Sequence, residues 1–272
     1  MWQPDVMAWR RSPGTTLPRR LTDPRSPFHA ARTEAVEELL GRSKAGHHTP
    51  YRWLARAISA STSVLVDVGC GTGPLGRELA RPDLIVLGVD TSPGLLRRAE
   101  GRAVGPVMLA DPLHLPLRDG SVDAVTSAMG LAWFRPVSAL LMELARVLRP
   151  GGLLAVLVPG LPRLGPSLLH DLGYAWEVGW RLGAMPRLPG SLGLPLEPLL
   201  VAAGLRKVED ARQRYEFTIA QRADAELVVE AMGLPGSDAG RADQTVAHLV
   251  AKVQQEGPIR VPVPMRRIIA IK

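Results

Sequence analysis

The segment VLVDVGCGTG at residues 64–73 decides the fold of this chain. Its apolar first half predicts a buried β-strand, and the glycines at 69, 71 and 73 predict a tight turn. Residues 74–80 then have the spacing of a helix whose first position is a proline. The order strand, glycine-rich turn, helix indicates a nucleotide-like ligand, because such a turn lets a ligand approach the backbone and the helix offers its first amides.

The alternation of strand and helix continues toward both ends of the chain. Short apolar segments predict further strands, and segments with helical spacing lie between them. This alternation is typical of a parallel, doubly wound α/β sheet of the Rossmann-like type. The predicted strands are 84–89, 107–110, 122–127 and 153–158, and the predicted helices are 30–40, 50–60, 93–102 and 138–148.

The pattern changes after residue 158. Residues 159–193 are rich in Gly, Pro and Leu and show no strand pattern, so we interpret them as an inserted helical cap. Residues 207–219 alternate like an antiparallel strand. Further helices are predicted at 196–203, 224–232 and 242–255, with a last strand at 265–272. We therefore divide the chain into a basic, proline-rich lead-in at 1–27 and one α/β domain at 28–272, with cap elements at 28–60, 159–193 and 220–263.

Composition excludes several classes of protein. Hydrophobic residues make up 46% of the 272 residues, which is enough for a buried core. The single cysteine, Cys70, excludes a disulfide framework and a cysteine-rich zinc site within one chain, and it favours a reducing compartment, the cytoplasm. No apolar run approaches the roughly 20 residues of a membrane-spanning helix, so we expect no membrane protein and no secretory signal.

The net charge of +7 is concentrated near the start of the chain. Residues 1–60 hold ten Lys or Arg against five Asp or Glu, an excess that would steer this part toward a phosphate backbone. Only four of the 33 basic residues are lysine, so a general preference for arginine also explains the excess. RNA is therefore one possible partner beside a small molecule.

Three aspartates follow successive predicted strands. The glycine pattern at 71–76 satisfies GxGxxG, which by itself leaves nicotinamide, flavin and other nucleosides open. Asp67 would repel a pyrophosphate, but its carboxylate can accept hydrogen bonds from an amino-acid ammonium group. Asp90 can bind both ribose hydroxyls, and Asp111 can accept from an adenine amino group. An adenosine bearing an amino acid fits all three, which predicts S-adenosylmethionine; helix caps or an Asx turn are the alternative.

Four segments carry a family resemblance: VLVDVGCGTG, VLGVDTSPGLLRRA, ADPLHLPLRDGSVDAVTSAMGLAWF and ARVLRPGGLL. In order and spacing they resemble class I S-adenosylmethionine-dependent methyltransferases of the ubiquinone/biotin group. The resemblance implies a seven-stranded sheet with six parallel strands and one antiparallel strand. The cofactor-binding residues that we expect are Asp67, Gly69, Cys70, Gly71, Gly73, Asp90, Thr91, Asp111, Pro112, Leu113 and Ser127.

The acceptor side of the site is less specific. Methyl transfer from a sulfonium needs alignment and desolvation more than a strong catalytic group, and it needs no metal. A hydroxyl or amide-like acceptor benefits from a positioned base, for which we consider His47, His48 and Tyr51; surface or capping roles are the alternative. The candidate pocket residues are Trp133, His170, Tyr174 and Trp176, for which core packing or a solvated helix face is the alternative.

Three functions remain open. The leading hypothesis is methyl transfer to an O, N or C nucleophile of a small, aromatic or apolar molecule. Residues 45–50, AGHHTP, are similar to the Gly-His-Tyr-x-Pro segment of ribosomal-RNA guanine-N1 methyltransferases, although this sequence lacks the four-cysteine zinc module of that family. A non-methylating S-adenosylmethionine-binding protein is the third hypothesis, because no residue here is indispensable for methyl transfer. The acceptor and the oligomeric state do not follow from the sequence.

Overall fold

A computed structural model of the protein describes residues 27–100, 105–161, 168–182, 196–232 and 239–272. Nearly all of the lead-in predicted at 1–27 lies outside these residues. The described strands are β1 (Val64–Val68), β2 (Ile85–Asp90), β3 (Val107–Leu109), β4 (Val122–Ala128), β5 (Leu148–Pro159), β6 (Arg206–Ile219) and β7 (Ile259–Ile271). The described helices are α1 (Pro27–Arg42), α2 (Pro50–Ala55), α3 (Pro74–Leu79), α4 (Pro93–Glu100), α5 (Gly130–Trp133), α6 (Val137–Val147), α7 (Leu168–Arg181), α8 (Leu196–Ala202), α9 (Arg222–Met232) and α10 (Ala239–Glu256).

The strands form one sheet in the order β3-β2-β1-β4-β5-β7-β6. β1 to β5 pair in parallel, whereas β7 is antiparallel to both of its neighbours, β5 and β6. The described sheet therefore has six strands in one direction and one in the other, which confirms the predicted fold class. The strand order reverses between β1 and β4, and doubly wound sheets bind ligands in the crevice at this point.

The central strand β1 is buried on both faces. Leu65, Val66 and Val68 have no exposed surface, and Val66 pairs with Leu87 of β2 and Val125 of β4. A continuous apolar run is what a parallel sheet covered by helices on both sides requires. Each fully buried Val or Leu stabilises the folded state by about 1.5–3 kcal/mol. The burial of β1 therefore fixes the position of the glycine turn that follows it.

The last strand is longer than the sequence predicts. β7 begins at Ile259 instead of residue 265, so residues 259–263 lie in the sheet and not in a cap element at 220–263. Residues 259–264 pair only with β6, whereas residues 265–271 pair with both β5 and β6. Pro262 and Pro264 interrupt the strand pattern in the sequence, but they are tolerated here because this part of β7 is at an edge.

Ion pairs attach α7 to the sheet and to another helix of the predicted cap, α10. Helix α7 lies in the insertion predicted at 159–193, of which residues 162–167 and 183–193 are outside the described part. Asp171 of α7 accepts hydrogen bonds of 2.9–3.0 Å from the Arg214 guanidinium on β6. Glu177 lies 2.5 Å from His248 Nε2 and accepts from Lys252 at 3.3 Å. Among the described helices, none is long and apolar enough to cross a membrane.

Candidate functional site

The glycine turn after β1 has the backbone shape that the sequence predicts. Gly69, Gly71 and Gly73 have φ angles of +74°, +56° and +83°, a region that favours glycine. The Gly69 amide donates to the Val89 carbonyl at 2.8 Å, and the Gly73 amide donates to the Cys70 carbonyl at 2.9 Å. The turn is therefore tied both to itself and to the end of β2.

Asp90 joins the end of β2 to this turn. Its Oδ2 accepts a hydrogen bond of 2.9 Å from the Gly71 amide, and its Oδ1 accepts one of 2.9 Å from the Ser92 amide. The carboxylate is buried, as is the neighbouring Thr91. A carboxylate oxygen has two lone pairs, so a hydrogen bond from a backbone amide does not by itself exclude a ribose hydroxyl as a second donor. Asp90 thus binds backbone amides, as the helix-cap alternative predicts, and this role is compatible with ligand binding.

Asp67 is a buried carboxyl group on β1. Thr126 Oγ1 of β4 donates to Asp67 Oδ1 at 2.9 Å. Burial raises the pKa of Asp67 to about 7, the hydrogen bond from Thr126 opposes this rise, and the negative charge of Asp90 adds to it. A cation beside Asp67 would stabilise the buried negative charge of its carboxylate, so the position suits the ammonium end of an amino acid.

Asp111 follows β3 in an Asx turn. Its Oδ1 accepts from the Leu113 amide at 2.9 Å, and its Oδ2 lies 3.4 Å from His114 Nδ1. Pro112 is buried and Leu113 is partly buried, and the Ala110 amide donates to the Asp90 carbonyl at 3.2 Å, which places the start of this loop beside the end of β2. The turn fixes the carboxylate and leaves lone pairs for another donor.

Two other expected cofactor residues use their side chains for structure. Ser127 Oγ donates to the Val68 carbonyl at 2.7 Å and so joins β4 to β1. Cys70 Sγ packs against Gly88 of β2, where an added Cβ would lie 2.9 Å from the sulfur. Burial, followed by the nearby charges of Asp67 and Asp90, raises the pKa of the Cys70 thiol well above its ordinary range. Cys70 therefore contributes to the turn through its backbone.

A cleft of about 590 Å³ lies beside the turn, between α1, α2 and α3. Tyr51 and Thr72 line it, as does Glu37 of α1, a residue that the sequence analysis did not select. Glu37 Oε1 accepts from the Thr72 amide at 2.9 Å, and Glu37 Oε2 accepts from Thr72 Oγ1 at 2.5 Å. Three acidic residues close together on α1 were the one signal for it. Their spacing does not indicate that Glu37 contacts Thr72, which lies 35 residues further along the chain.

The three catalytic candidates occupy different places. Tyr51 is buried in the cleft near Glu37 and Asp67, and burial, with these two charges, raises its pKa well above the ordinary value. Tyr51 is therefore suited to donate a hydrogen bond and not to act as a base. His48 instead contacts Tyr215 edge-on, with ring centroids 6.0 Å apart, and His47 is exposed. Burial, and then Arg56, lowers the pKa of His48.

The pocket candidates are also separated. Trp133 of α5 lies under the Arg32 guanidinium, 4.7 Å from the ring centroid. Phe134, a residue the sequence reasoning missed, packs on the turn, since its Cε2 would lie 3.2 Å from a Cβ at Gly69. Tyr174 of α7 is buried. The side chains of the other two candidates, His170 and Trp176, lie outside the described part.

The set of hydrogen-bond acceptors fits S-adenosylmethionine. Asp67, Asp90 and Asp111 lie at or just beyond the ends of neighbouring strands around the glycine turn, with a buried acid where the ammonium group would lie. A pyrophosphate would meet these negative charges at close range. In the described ranges, no group of three His, Cys, Asp or Glu is arranged to hold a metal ion.

Comparison with known proteins gives the same assignment. Residues 66–156 match the family described as a methyltransferase domain. Malonyl-[acyl-carrier protein] O-methyltransferase of Yersinia pestis is 30% identical over 149 residues, which cover 54% of each chain. Demethylmenaquinone methyltransferase of Corynebacterium kroppenstedtii is 41% identical over 92 residues, covering 34% of this chain and 40% of that protein.

The chain thus spans about half or less of the length of these curated relatives. Among solved structures, the YcgJ protein of Bacillus subtilis has the same fold, with a TM-score of 0.59 and 20% identity over 83% of this chain and 99% of that chain. The sheet order, the glycine turn and the matched sequence together identify residues 66–156 as a methyltransferase domain of the class I type, for which S-adenosylmethionine is the cofactor.

Proposed function

We propose that this protein transfers a methyl group from S-adenosylmethionine to an O, N or C nucleophile of a small molecule that is mostly aromatic or apolar. The observation that carries this proposal is the set of three carboxylates, Asp67, Asp90 and Asp111, around the turn at 69–73. Such a set can hold an ammonium group, a ribose and an adenine amino group at once.

The bound cofactor would supply a methyl group already activated by its sulfonium. The chain's own residues would then align the acceptor with this methyl group and exclude water from both. An in-line displacement requires little more than this. Asp90 and Asp111 would hold the nucleoside, and Asp67 would orient the amino-acid end. Tyr51, kept protonated by its raised pKa, would donate a hydrogen bond within the cleft.

The acceptor class is inferred from relatives and from side chains near the site. The two curated relatives are named for acceptors that are a quinone precursor and a carrier-linked malonyl group. Phe134 packs on the turn and supplies aromatic surface, and Trp133, which lies under Arg32, precedes it in the chain. We therefore place a quinone-like aromatic first and a carrier-linked acid second. The single cysteine fits work in a reducing compartment such as the cytoplasm.

RNA methylation is the second candidate, and one feature favours it. A groove of about 400 Å³ beside the AGHHTP segment is lined by Arg42, Lys44 and Arg260. Arg42 is paired with Glu38 and Asp224, and Arg260 with Glu216, which reduces the positive charge offered to a phosphate. A non-methylating role is the third candidate, because methyl transfer requires no single residue whose presence would exclude it.

The test combines binding with transfer. Calorimetric titration should give micromolar binding of S-adenosylmethionine and S-adenosylhomocysteine and no heat with NADH. Radiolabelled methyl transfer is then measured to a short-chain demethylated quinone, a malonyl thioester and ribosomal RNA. Binding of NADH alone would contradict the proposal. Labelling of RNA alone, with a steep loss of binding as salt rises, would favour the second candidate. Cofactor binding without transfer to any acceptor would favour the third.

A further inference from the structure

Glu37 attaches helix α1 to the glycine turn. Its two carboxylate oxygens accept separately from the amide and the hydroxyl of Thr72, at 2.9 and 2.5 Å. The same carboxylate fills the space over Gly71, where an added Cβ would overlap Glu37 Oε1. The turn that the cofactor must reach is therefore covered by a side chain from a different element of the fold.

The donors at Thr72 select for a carboxylate. An amide N–H and a hydroxyl that point at the two oxygens of one acid form a charge-assisted pair of hydrogen bonds. S-adenosylmethionine carries a carboxylate of its own at the methionine end, next to the ammonium group that suits Asp67. Two carboxylates cannot share these donors without repelling each other at close range.

We propose that Glu37 is a latch that the methionine carboxylate of the cofactor displaces from Thr72. This inference rests on the proposed function, because it requires S-adenosylmethionine to bind at the turn. Binding exchanges one carboxylate for another at Thr72, so the apparent affinity is lowered by the fraction of molecules in which Glu37 holds the turn. Glu37 acts on the cofactor as a competitor and is not a catalytic residue.

The latch also couples the cofactor to the rest of the cap. Helix α1 carries Arg32, which lies over Trp133 and donates to the Ala231 carbonyl of α9 at 3.5 Å. It also carries Arg42, whose guanidinium pairs with the buried Asp224 of α9. Release of Glu37 therefore loosens one attachment of α1, while the contacts of Arg32, the pair of Arg42 with Asp224 and the pair of Glu34 with Arg98 of α4 keep the helix in place.

The test compares two ligands that differ in the amino-acid end. S-adenosylhomocysteine has the carboxylate, and 5′-methylthioadenosine lacks the whole amino-acid group. We expect Glu37→Ala to bind S-adenosylhomocysteine about tenfold tighter than wild type. This factor corresponds to one charge-assisted hydrogen bond, which Glu37 no longer makes to Thr72 in competition with the ligand. Glu37→Gln should show a smaller gain in the same direction. Binding of 5′-methylthioadenosine should stay unchanged in both variants.

Glu38→Gln is the matched control, because Glu38 is the next residue of α1 and its exposed side chain pairs with Arg42 and not with the turn. Unchanged or weaker binding of S-adenosylhomocysteine by a folded Glu37→Ala or Glu37→Gln variant would overturn the latch. Hydrogen exchange on the wild-type protein gives a second readout. S-adenosylhomocysteine should speed exchange of the α1 amides, and slower exchange would also overturn it. If wild-type protein binds neither ligand, the proposed function fails and the latch fails with it.

Discussion

The cofactor side and the cap of this protein are built in different ways. Around the turn at 69–73, contacts join the ends of adjacent strands, such as the Asp90 carboxylate to the Gly71 amide, 19 residues apart. In the cap, side chains join helices that are distant in sequence: Arg42 reaches Asp224, 182 residues away, and Arg32 reaches Ala231, 199 residues away. The cofactor site therefore depends mainly on strands that are neighbours in the sheet, whereas the cap depends on pairs between helices that are far apart in sequence.

The largest effect should come from the cap. Asp224 of α9 is buried and accepts from the amides of Ala220 and Gln221 at 3.0 and 3.2 Å, and also from Arg42. Asp224→Ala leaves these donors unpaired, so we expect the free energy of unfolding to fall by about 3 kcal/mol. Urea denaturation measures this. A loss below about 1 kcal/mol would mean that the long-range pairs do not hold the cap.

The next effect should appear in ligand binding. Asp90→Ala removes the acceptor that we assign to the ribose hydroxyls and frees the Gly71 amide that shapes the turn. We expect the Kd for S-adenosylmethionine to rise about 100-fold, by calorimetry, as two hydrogen bonds to a charged group are lost. Asp83→Ala is the control, since Asp83 lies just before β2 and is exposed. Equal affinity in both variants would remove the ribose role from Asp90.

This difference in construction explains what the sequence could predict. The strand at 64–68 and the positive φ angles of the glycines follow from local patterns. The six-plus-one sheet follows from the family resemblance of four segments between residues 64 and 154. Asp90 and Asp111 could be located because each directly follows an apolar strand. In doubly wound folds the ends of such strands meet at one edge.

The acceptor side could not be predicted in the same way. Glu37 reads as one acid of a solvated helix face, and only the packing of α1 against the turn gives it a partner. His48 was a candidate base because it precedes β1, but Lys44 pairs with Glu216 and brings this segment to β6 instead. Phe134 follows a predicted strand with no spacing that indicates contact with Gly69. Each of these contacts depends on tertiary packing.

A third effect should show as a dependence of stability on pH. Burial raises the pKa of Asp67 from its ordinary 3.8 to about 7. Between these values the folded protein keeps a proton that the unfolded chain has lost, so stability falls as the pH rises from about 4 to about 7. Asp67→Asn removes this fall. Urea denaturation at each pH should show the variant to be more stable than wild type near pH 8 and similar to it near pH 4. Equal slopes in the two proteins would contradict a buried, ionising Asp67.

The smallest effect should come from an ion pair on the same helix as Asp224. Arg222 and Glu226 of α9 pair at 2.7 Å, but their side chains are 64% and 52% exposed. Water and salt screen such a pair, and holding two long side chains in one geometry costs conformational entropy. We therefore expect Glu226→Gln to change the free energy of unfolding by less than about 0.5 kcal/mol, and by less still in high salt. Asp224 and Glu226 are two residues apart on α9 and carry the same charge. Comparison of the two variants therefore separates the effect of burial on stability from the effect of charge. A loss in Glu226→Gln as large as that in Asp224→Ala would mean that the net charge of α9, and not the enclosed contacts of Asp224, keeps the cap on the sheet.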